Sequence, residues 1–261
     1  MPFTYFAHQA PVLPLKMRWP DRFDGLALVV GSIMPDLWYV TKGWGYGPLG
    51  LELWIDGHQP GGFVQFILVP GVLLTLALRR YTMPVVPLVL PKMGVLRLRE
   101  YRLLGRSQHR LGKTVLSVAI GGATHLIFDA FTHSDGFFVR NSDLLTGFWF
   151  EVGGHSVRTH HIVGGLADVF GSMYSIRLLV RIGRERRQWE WHGRTRRPHR
   201  ERLLEPAQST VASLLILGLV SASIYGAIRF EDGFAPALMG ASWVMIVFLL
   251  IAGAVGLAVD K

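Results

Sequence analysis

The sequence predicts an all-α, polytopic integral membrane protein with about five or six membrane-embedded helices. Half of its 261 residues are hydrophobic and only 17% are charged, which differs from the balance of a soluble domain. Residues 209–228 and 235–259 each form an apolar stretch without a charged side chain. Each stretch is long enough to cross a hydrocarbon core of about 30 Å as a helix. These two stretches are therefore the clearest predicted spans.

Three upstream segments are also predicted spans, although they are shorter or contain isolated polar groups: residues 62–78, 114–131 and 162–180. Gly121 and Gly122 in the second of them favour close contact between helices. A sixth segment, residues 26–40, is short and is interrupted by Pro35 and Asp36. It forms either a complete span or a half-helix broken near the proline, which would need protein or water around it. The second arrangement places the N-terminus on the external side, and it is the one we favour.

Positive charge is concentrated in two connections between spans. The net charge is +9, and 18 of the 27 Lys and Arg residues lie in residues 79–113 and 181–202. The positive-inside rule places both segments in the cytoplasm, with the C-terminus also inside. Trp189 and Trp191 interleave with arginines, as in some nucleic-acid-binding segments. We expect contacts with membrane lipids, and with anionic lipid headgroups at these basic loops, rather than with nucleic acid.

The chemical motifs lie in the first part of the chain. We therefore divide it into a membrane domain over residues 1–180, a basic linker over residues 181–207 and a C-terminal pair of transmembrane helices over residues 208–261. The chain contains no cysteine, which excludes disulfides and Cys-ligated zinc. Any metal site must use His, carboxylates or water. The N-terminus lacks the pattern of a secretory signal, so we expect it to be retained.

Six of the ten histidines lie in or beside the predicted external half: His58, His125, His133, His155, His160 and His161. The sharpest pattern combines His125, Asp129 and His133 at a spacing of four residues. On a helix, these side chains form one stripe over about 12 Å. His and Asp are ordinary ligands of zinc and related ions. The pattern indicates either a metal site or a structural His-Asp hydrogen bond near the interface.

Two further polar residues interrupt or flank apolar segments. Asp36 follows Pro35, where it caps a helix, faces water or binds a ligand. His58 lies next to Asp56 just before a predicted span, and a simple turn explains it equally well. Neither residue has an assigned role from its spacing alone.

Three elements also occur in the order and spacing of a known family: residues 1–4 followed by His8, GSIMPD at residues 31–36, and GATHLIFDAFTH at residues 122–133. The chain resembles the bacterial membrane family catalogued as domain of unknown function 4184, with a looser likeness through residues 155–165. The resemblance implies a location in a bacterial cytoplasmic (inner) membrane. That family tends to have a Thr-His-Ser-like turn where this chain has Gly57-His58-Gln59. It looks like a relative of predicted membrane-bound metal-dependent hydrolases and, more remotely, of zinc-dependent phospholipase C. The resemblance implies a divalent-metal site, with zinc the expected ion, built from His8, Asp36, His58, His125, Asp129 and His133.

The first functional hypothesis is a metal-dependent hydrolase with its site near the external membrane face, acting on a lipid or envelope-derived ester or phosphoester. Asp36 and Asp129 are the candidate catalytic residues, with Asp36 acting as a ligand or as the general base. A proton- or metal-ion-coupled transporter that uses the same residues is the second hypothesis. A structural membrane protein without catalysis is the third. The inverted repeats typical of many transporters are not evident in the sequence.

Overall fold

Long helices dominate the computed structural model, which describes residues 4–37, 62–90, 94–107, 109–152, 155–193, 205–228 and 234–259. In this part of the chain, five helices are long and apolar enough to cross a membrane: Phe63–Thr82, Leu111–Arg140, Thr159–Arg184, Ala207–Ile228 and Gly240–Val259. Each of them coincides with one of the five long predicted spans. The predicted all-α polytopic membrane fold is therefore confirmed.

The elements follow one another in a simple order. The helices are α1 (Thr4–Ala7), α2 (Val12–Arg18), α3 (Gly25–Leu37), α4 (Phe63–Thr82), α5 (Val86–Val89), α6 (Leu111–Thr132), α7 (Phe137–Arg140), α8 (Asp143–Thr146), α9 (Thr159–Arg184), α10 (Arg187–His192), α11 (Glu205–Ile228) and α12 (Phe234–Val259). A 3₁₀-helix covers Leu98–Arg106, and β1 (Phe148–Val152) pairs antiparallel with β2 (His155–Arg158). Helix α4 begins and ends with a turn of π-helix.

Helix α3 occupies the weakest of the predicted membrane segments. Its described part has 13 residues, with Pro35 inside it, and is about 20 Å long at a rise of 1.5 Å per residue. That is shorter than a hydrocarbon core of about 30 Å, so α3 is not among the five long helices. Residues 38–40 of the predicted segment lie outside the described residues.

Helices α3 and α6 lie parallel and in close contact. Near their first residues, Asp24 contacts Thr114 and Ser117, and near their last turns the Ser32 carbonyl contacts His125. Glycines allow this approach, because a Cβ on Gly121 would lie 2.4 Å from the Leu28 carbonyl oxygen. The absence of a side chain at Gly121 therefore allows the polar residues of α3 to lie against those of α6.

The C-terminal pair packs on the rest of the bundle. Trp243 Nε1 of α12 donates to the Leu37 carbonyl at 2.5 Å, and the Thr82 hydroxyl donates to the Leu249 carbonyl at 3.1 Å. Helix α12 thus contacts the last residue of α3 and the last residue of α4. The division of the chain at residues 181 and 208 stays a prediction.

The two basic segments meet at one end of the bundle, here called the basic end. Gly183 of α9 lies against the backbone of Val95, and the His192 ring lies 6.2 Å from that of His109. Helices α3 and α6 begin at this end, and their His and Asp residues lie near the opposite end. A common side for both basic segments fits the predicted orientation, and their assignment to the cytoplasm stays a prediction.

Candidate metal site

The predicted His-Asp stripe lies along the last turns of α6. His125 Nε2 is 3.0 Å from Asp129 Oδ2, and His133 Nε2 is 3.6 Å from Asp129 Oδ1. Helix α6 ends at Thr132, so His133 is the residue that follows it. The spacing of four residues therefore gives the expected contacts, with Asp129 between the two histidines.

A backbone contact orients the His125 ring. Its Nδ1 lies 2.7 Å from the Ser32 carbonyl oxygen, which can only accept a hydrogen bond, so Nδ1 carries a proton and donates it. The other ring nitrogen, Nε2, then faces Asp129 and also lies 3.6 Å from Asp36 Oδ1. An Nε2 lone pair directed at two carboxylates is unfavourable. This position therefore requires either a second proton or a metal ion between the groups.

Asp36 reaches the site because α3 lies so close to α6. It is the second-last residue of α3, and its side chain is buried. A buried carboxylate needs a compensating charge or hydrogen bonds, and His125 Nε2 lies 3.6 Å from Asp36 Oδ1. The residue after Pro35 is therefore part of a polar cluster inside the bundle.

His8 joins the same cluster from the turn after α1. Its ring stacks on that of His125, with centroids 3.7 Å apart and an interplanar angle of 16°, and its Nε2 lies 3.8 Å from Asp129 Oδ1. The Phe128 ring lies edge-to-face with the His8 ring, with centroids 4.7 Å apart. Gly171 of α9 packs against the backbone of Ala7, which holds α1 in place. The N-terminal segment therefore contributes a buried imidazole to the site.

The donor set fits a divalent ion. One ligand atom each from His8, Asp36 and His125 lie within 4.8 Å of one another, and Asp129 contacts both histidines. Two imidazoles and two carboxylates from three separate helical segments form an ordinary set for zinc or a similar metal. Their burial favours charge neutralisation by a cation over exposure to water.

Of the two remaining predicted residues, His133 lies in the described part of the chain. The His133 side chain is 44% exposed, so it lies at the edge of the cluster and faces outward. His58 lies outside the described residues. The structure therefore brings together His8, Asp36, His125 and Asp129, with His133 beside them.

Helix α9 adds a carboxylate, Asp168, for which no role is predicted from the sequence. Asp168 is buried and interacts electrostatically with Asp36, Asp129 and His133. Ser172, one turn further along α9, is also buried. An ionisable residue inside an apolar span is the signal that could have identified Asp168, but the sequence does not show which neighbouring helix it faces.

A second polar cluster, centred on Asp24, lies at the basic end. Asp24 is 1% exposed; it pairs with Arg79 and accepts a hydrogen bond from Thr114 at 2.8 Å. Burial would raise the pKa of Asp24, but the Arg79 guanidinium, the hydrogen bonds and His109 together hold it below its ordinary value. Asp24 and Asp36 are separated by 12 residues, or about 18 Å of helix, so the two clusters are distinct.

Protein stability should decrease as the pH falls from 6.5 towards 4, because of His192 in α10. Burial and the neighbouring charge of Lys16 lower the pKa of His192 from 6.5 to about 4. His109 and Arg79 also lower this pKa, whereas Asp24 raises it. A histidine whose pKa is lower in the folded state contributes its full stability above pH 6.5, where it is neutral in both states. This stability is lost as the pH falls from 6.5 towards the folded pKa of about 4. A His192→Gln variant should show a smaller decrease in melting temperature over this range. An unchanged pH dependence in the variant would contradict this assignment.

Comparison with known proteins agrees with the three sequence elements. The family model described as "Domain of unknown function (DUF4184)" matches residues 1–259. No curated protein and no solved structure matches the chain significantly. The match covers nearly the whole length, including all four residues of the buried cluster and both C-terminal spans. The chain therefore belongs to the domain of unknown function 4184 family.

Proposed function

We propose that the protein is a membrane-embedded, divalent-metal-dependent hydrolase whose metal is held by His8, Asp36, His125 and Asp129. The observation that supports this proposal best is the His125 ring, whose Nε2 faces two carboxylates while Nδ1 donates to a backbone carbonyl. Such an arrangement is typical of a metal-ligating histidine with a fixed tautomer. Zinc is the expected ion.

The chain's own residues have separate roles in this proposal. A divalent ion held by these residues would lower the pKa of a water molecule and would polarise an ester or phosphoester oxygen. The Ser32 carbonyl holds His125 in the orientation that presents Nε2. Asp36 acts as a ligand or as the general base. Asp168 is a buried carboxylate beside the cluster that is not among the proposed ligands, and it can transfer a proton. His133, at the exposed edge, lies where a substrate enters.

A lipid or envelope-derived ester or phosphoester is the proposed substrate. The segment between α6 and α9 exposes Phe137, Phe148 and Trp149 beside the cluster, and aromatic side chains favour the membrane interface. Because the basic segments lie at the other end, the positive-inside rule assigns this end to the external face. These features favour a substrate that approaches along the membrane surface.

Metal content tests the proposal directly. Elemental mass spectrometry of the purified, detergent-solubilised protein should find zinc or another divalent metal at roughly one ion per chain. A His125→Ala, Asp129→Ala variant should lose this metal, because it removes one imidazole and the carboxylate that joins both histidines. The matched control is His161→Ala with Asp135→Ala, two exposed residues near the same end, and it should retain the metal.

The outcomes separate the functional hypotheses. Metal that is lost only in the site variant, together with hydrolysis of lipid esters or phosphoesters, supports the hydrolase. Bound metal without hydrolysis, but with zinc or proton flux in proteoliposomes, would favour the transporter instead. Absence of metal after reconstitution with zinc, manganese and iron would contradict the site itself.

A further inference from the structure

A second site lies in the basic half of the bundle, away from the His-Asp cluster. A cavity of about 470 Å³ runs alongside α3 and is bounded by α2, α4, α9 and α12. Its walls are mainly aliphatic, as at Leu13, Val29, Leu78 and Leu249. This volume lies in the range of small-molecule sites, which is about 300–1,000 Å³. The shape and lining suit an acyl chain.

Polar side chains line one part of the cavity. Gln188 is 5% exposed and its amide hydrogen-bonds the Tyr101 hydroxyl, but its Oε1 accepts no hydrogen bond from the residues that the structure describes. Trp191 also lines the cavity, and its buried Nε1 donates to none of these residues. Buried polar groups are normally satisfied. This polar rim therefore contains one acceptor and one donor that none of the described residues uses.

The rim also carries a buried positive charge. Lys16 lines the cavity, is 4% exposed, and its Nζ lies 5.1 Å from the centre of the Trp191 ring. Two hydrogen bonds hold the ammonium, to the carbonyls of Pro20 at 2.7 Å and Phe23 at 3.0 Å. Burial lowers the pKa of Lys16 to about 8, so it keeps its charge at pH 7. The carboxylates of Asp24 and Asp21 act on this charge, but Asp24 is already paired with Arg79, and Lys113 adds a further positive charge. Positive charge is therefore in excess around the rim, and an anion there would balance it.

We propose that this cavity binds a single-chain anionic lipid with a free hydroxyl group, of the lysophospholipid class. The acyl chain occupies the aliphatic cavity, and the head group lies at the rim. Lys16 and Trp191 donate to its phosphate or ester oxygens, and its hydroxyl donates to Gln188. The site does not depend on the proposed hydrolase, because it lies at the basic end and shares no residue with the metal cluster.

Lipid binding to the full-length, detergent-solubilised protein tests this proposal by native mass spectrometry. Palmitoyl lysophosphatidylglycerol should bind about tenfold more tightly than the zwitterionic lysophosphatidylcholine with the same chain. Lys16→Met should remove most of this preference. Val29→Phe, which fills the cavity, should weaken binding of both lipids by about tenfold. The matched control is Lys113→Met, which removes a positive charge at the same end but from a side chain that is not among the cavity-lining residues.

Three results would overturn the proposal. Equal affinity for the two lipids would remove the role of Lys16. An equal loss of binding in Lys113→Met would indicate attraction by the basic surface instead of a built site. Unchanged binding in a folded Val29→Phe variant would show that the chain does not enter the cavity. If Lys16→Met does not fold, Gln188→Leu replaces it and should weaken lysophosphatidylglycerol binding.

Discussion

Replacing Gly121 with alanine is expected to destabilise the protein strongly and to abolish binding at the proposed metal site. The added Cβ would lie 2.4 Å from the Leu28 carbonyl oxygen and 2.7 Å from the Ser32 nitrogen. Both are backbone atoms, so no side-chain rotation relieves the contact and α3 must move away from α6. Overpacking typically costs about 1–3 kcal/mol, and we expect a loss at the upper end of that range. The shift also displaces the Ser32 carbonyl that orients His125 and separates Asp36 from the cluster.

Thermal unfolding and metal content of the same preparation measure both effects. Gly112→Ala is the matched control, because it lies on the same helix and its Cβ would meet nothing within 4 Å. Alanine is the better helix former, so Gly112→Ala should leave stability unchanged or slightly higher and should retain the metal. Equal melting temperatures and equal metal in the two variants would show that the contact between α3 and α6 is not needed for the site.

Asp24→Asn is expected to have the second large effect. Asparagine keeps the shape of the side chain but removes its charge, which leaves the mostly buried Arg79 guanidinium without its carboxylate. Breaking a buried ion pair in this way costs about 3–5 kcal/mol. The pKa of Asp24 is lowered in the folded state, so its charge stabilises the protein at pH values above the ordinary carboxylate pKa. This stability is lost as the pH falls through the pKa of Asp24 in the folded protein. The variant should therefore also lose part of the native protein's sensitivity to acid.

A double variant distinguishes the ion pair from a general packing defect. In Asp24→Asn with Arg79→Met the unpaired charge is gone, so stability should recover in part, since apolar replacement of a buried pair is often tolerated. Denaturation curves of the two single variants and the double variant give the coupling between the residues. Strictly additive losses would show that Asp24 and Arg79 do not stabilise each other. Metal content should stay normal in every folded variant, because the two clusters are distinct.

Local patterns explain which parts of the fold could be predicted from the sequence. The five long spans follow from the length and continuity of apolar residues, which the thickness of a bilayer determines directly. The contacts among His125, Asp129 and His133 follow from the helical period. Both inferences need only neighbouring residues, and the structure agrees with them.

The rest of the site depends on contacts between distant segments. His8 lies in a turn after a four-residue helix, which has no periodicity to interpret, and only the family resemblance pointed to it. Asp168 joins the cluster because α9 packs on α1, and the pairing of Asp24 with Arg79 depends on the placement of α3 against α4. Hydropathy and spacing carry no information on these placements. The role of His58 stays a prediction.

The parallel contact between α3 and α6 also has a consequence for biosynthesis. The described part of α3 is shorter than the hydrocarbon core, and the buried Asp24 and Asp36 near its two ends are costly in lipid until their partners arrive. Those partners belong to α4 and α6, which leave the ribosome later. We therefore expect the N-terminal segment to remain loosely inserted, or near the membrane surface, until α6 has entered the membrane. In chains truncated before residue 111, which α4 still anchors, residues 4–37 should accordingly be cleaved by added protease more readily than in chains that include α6.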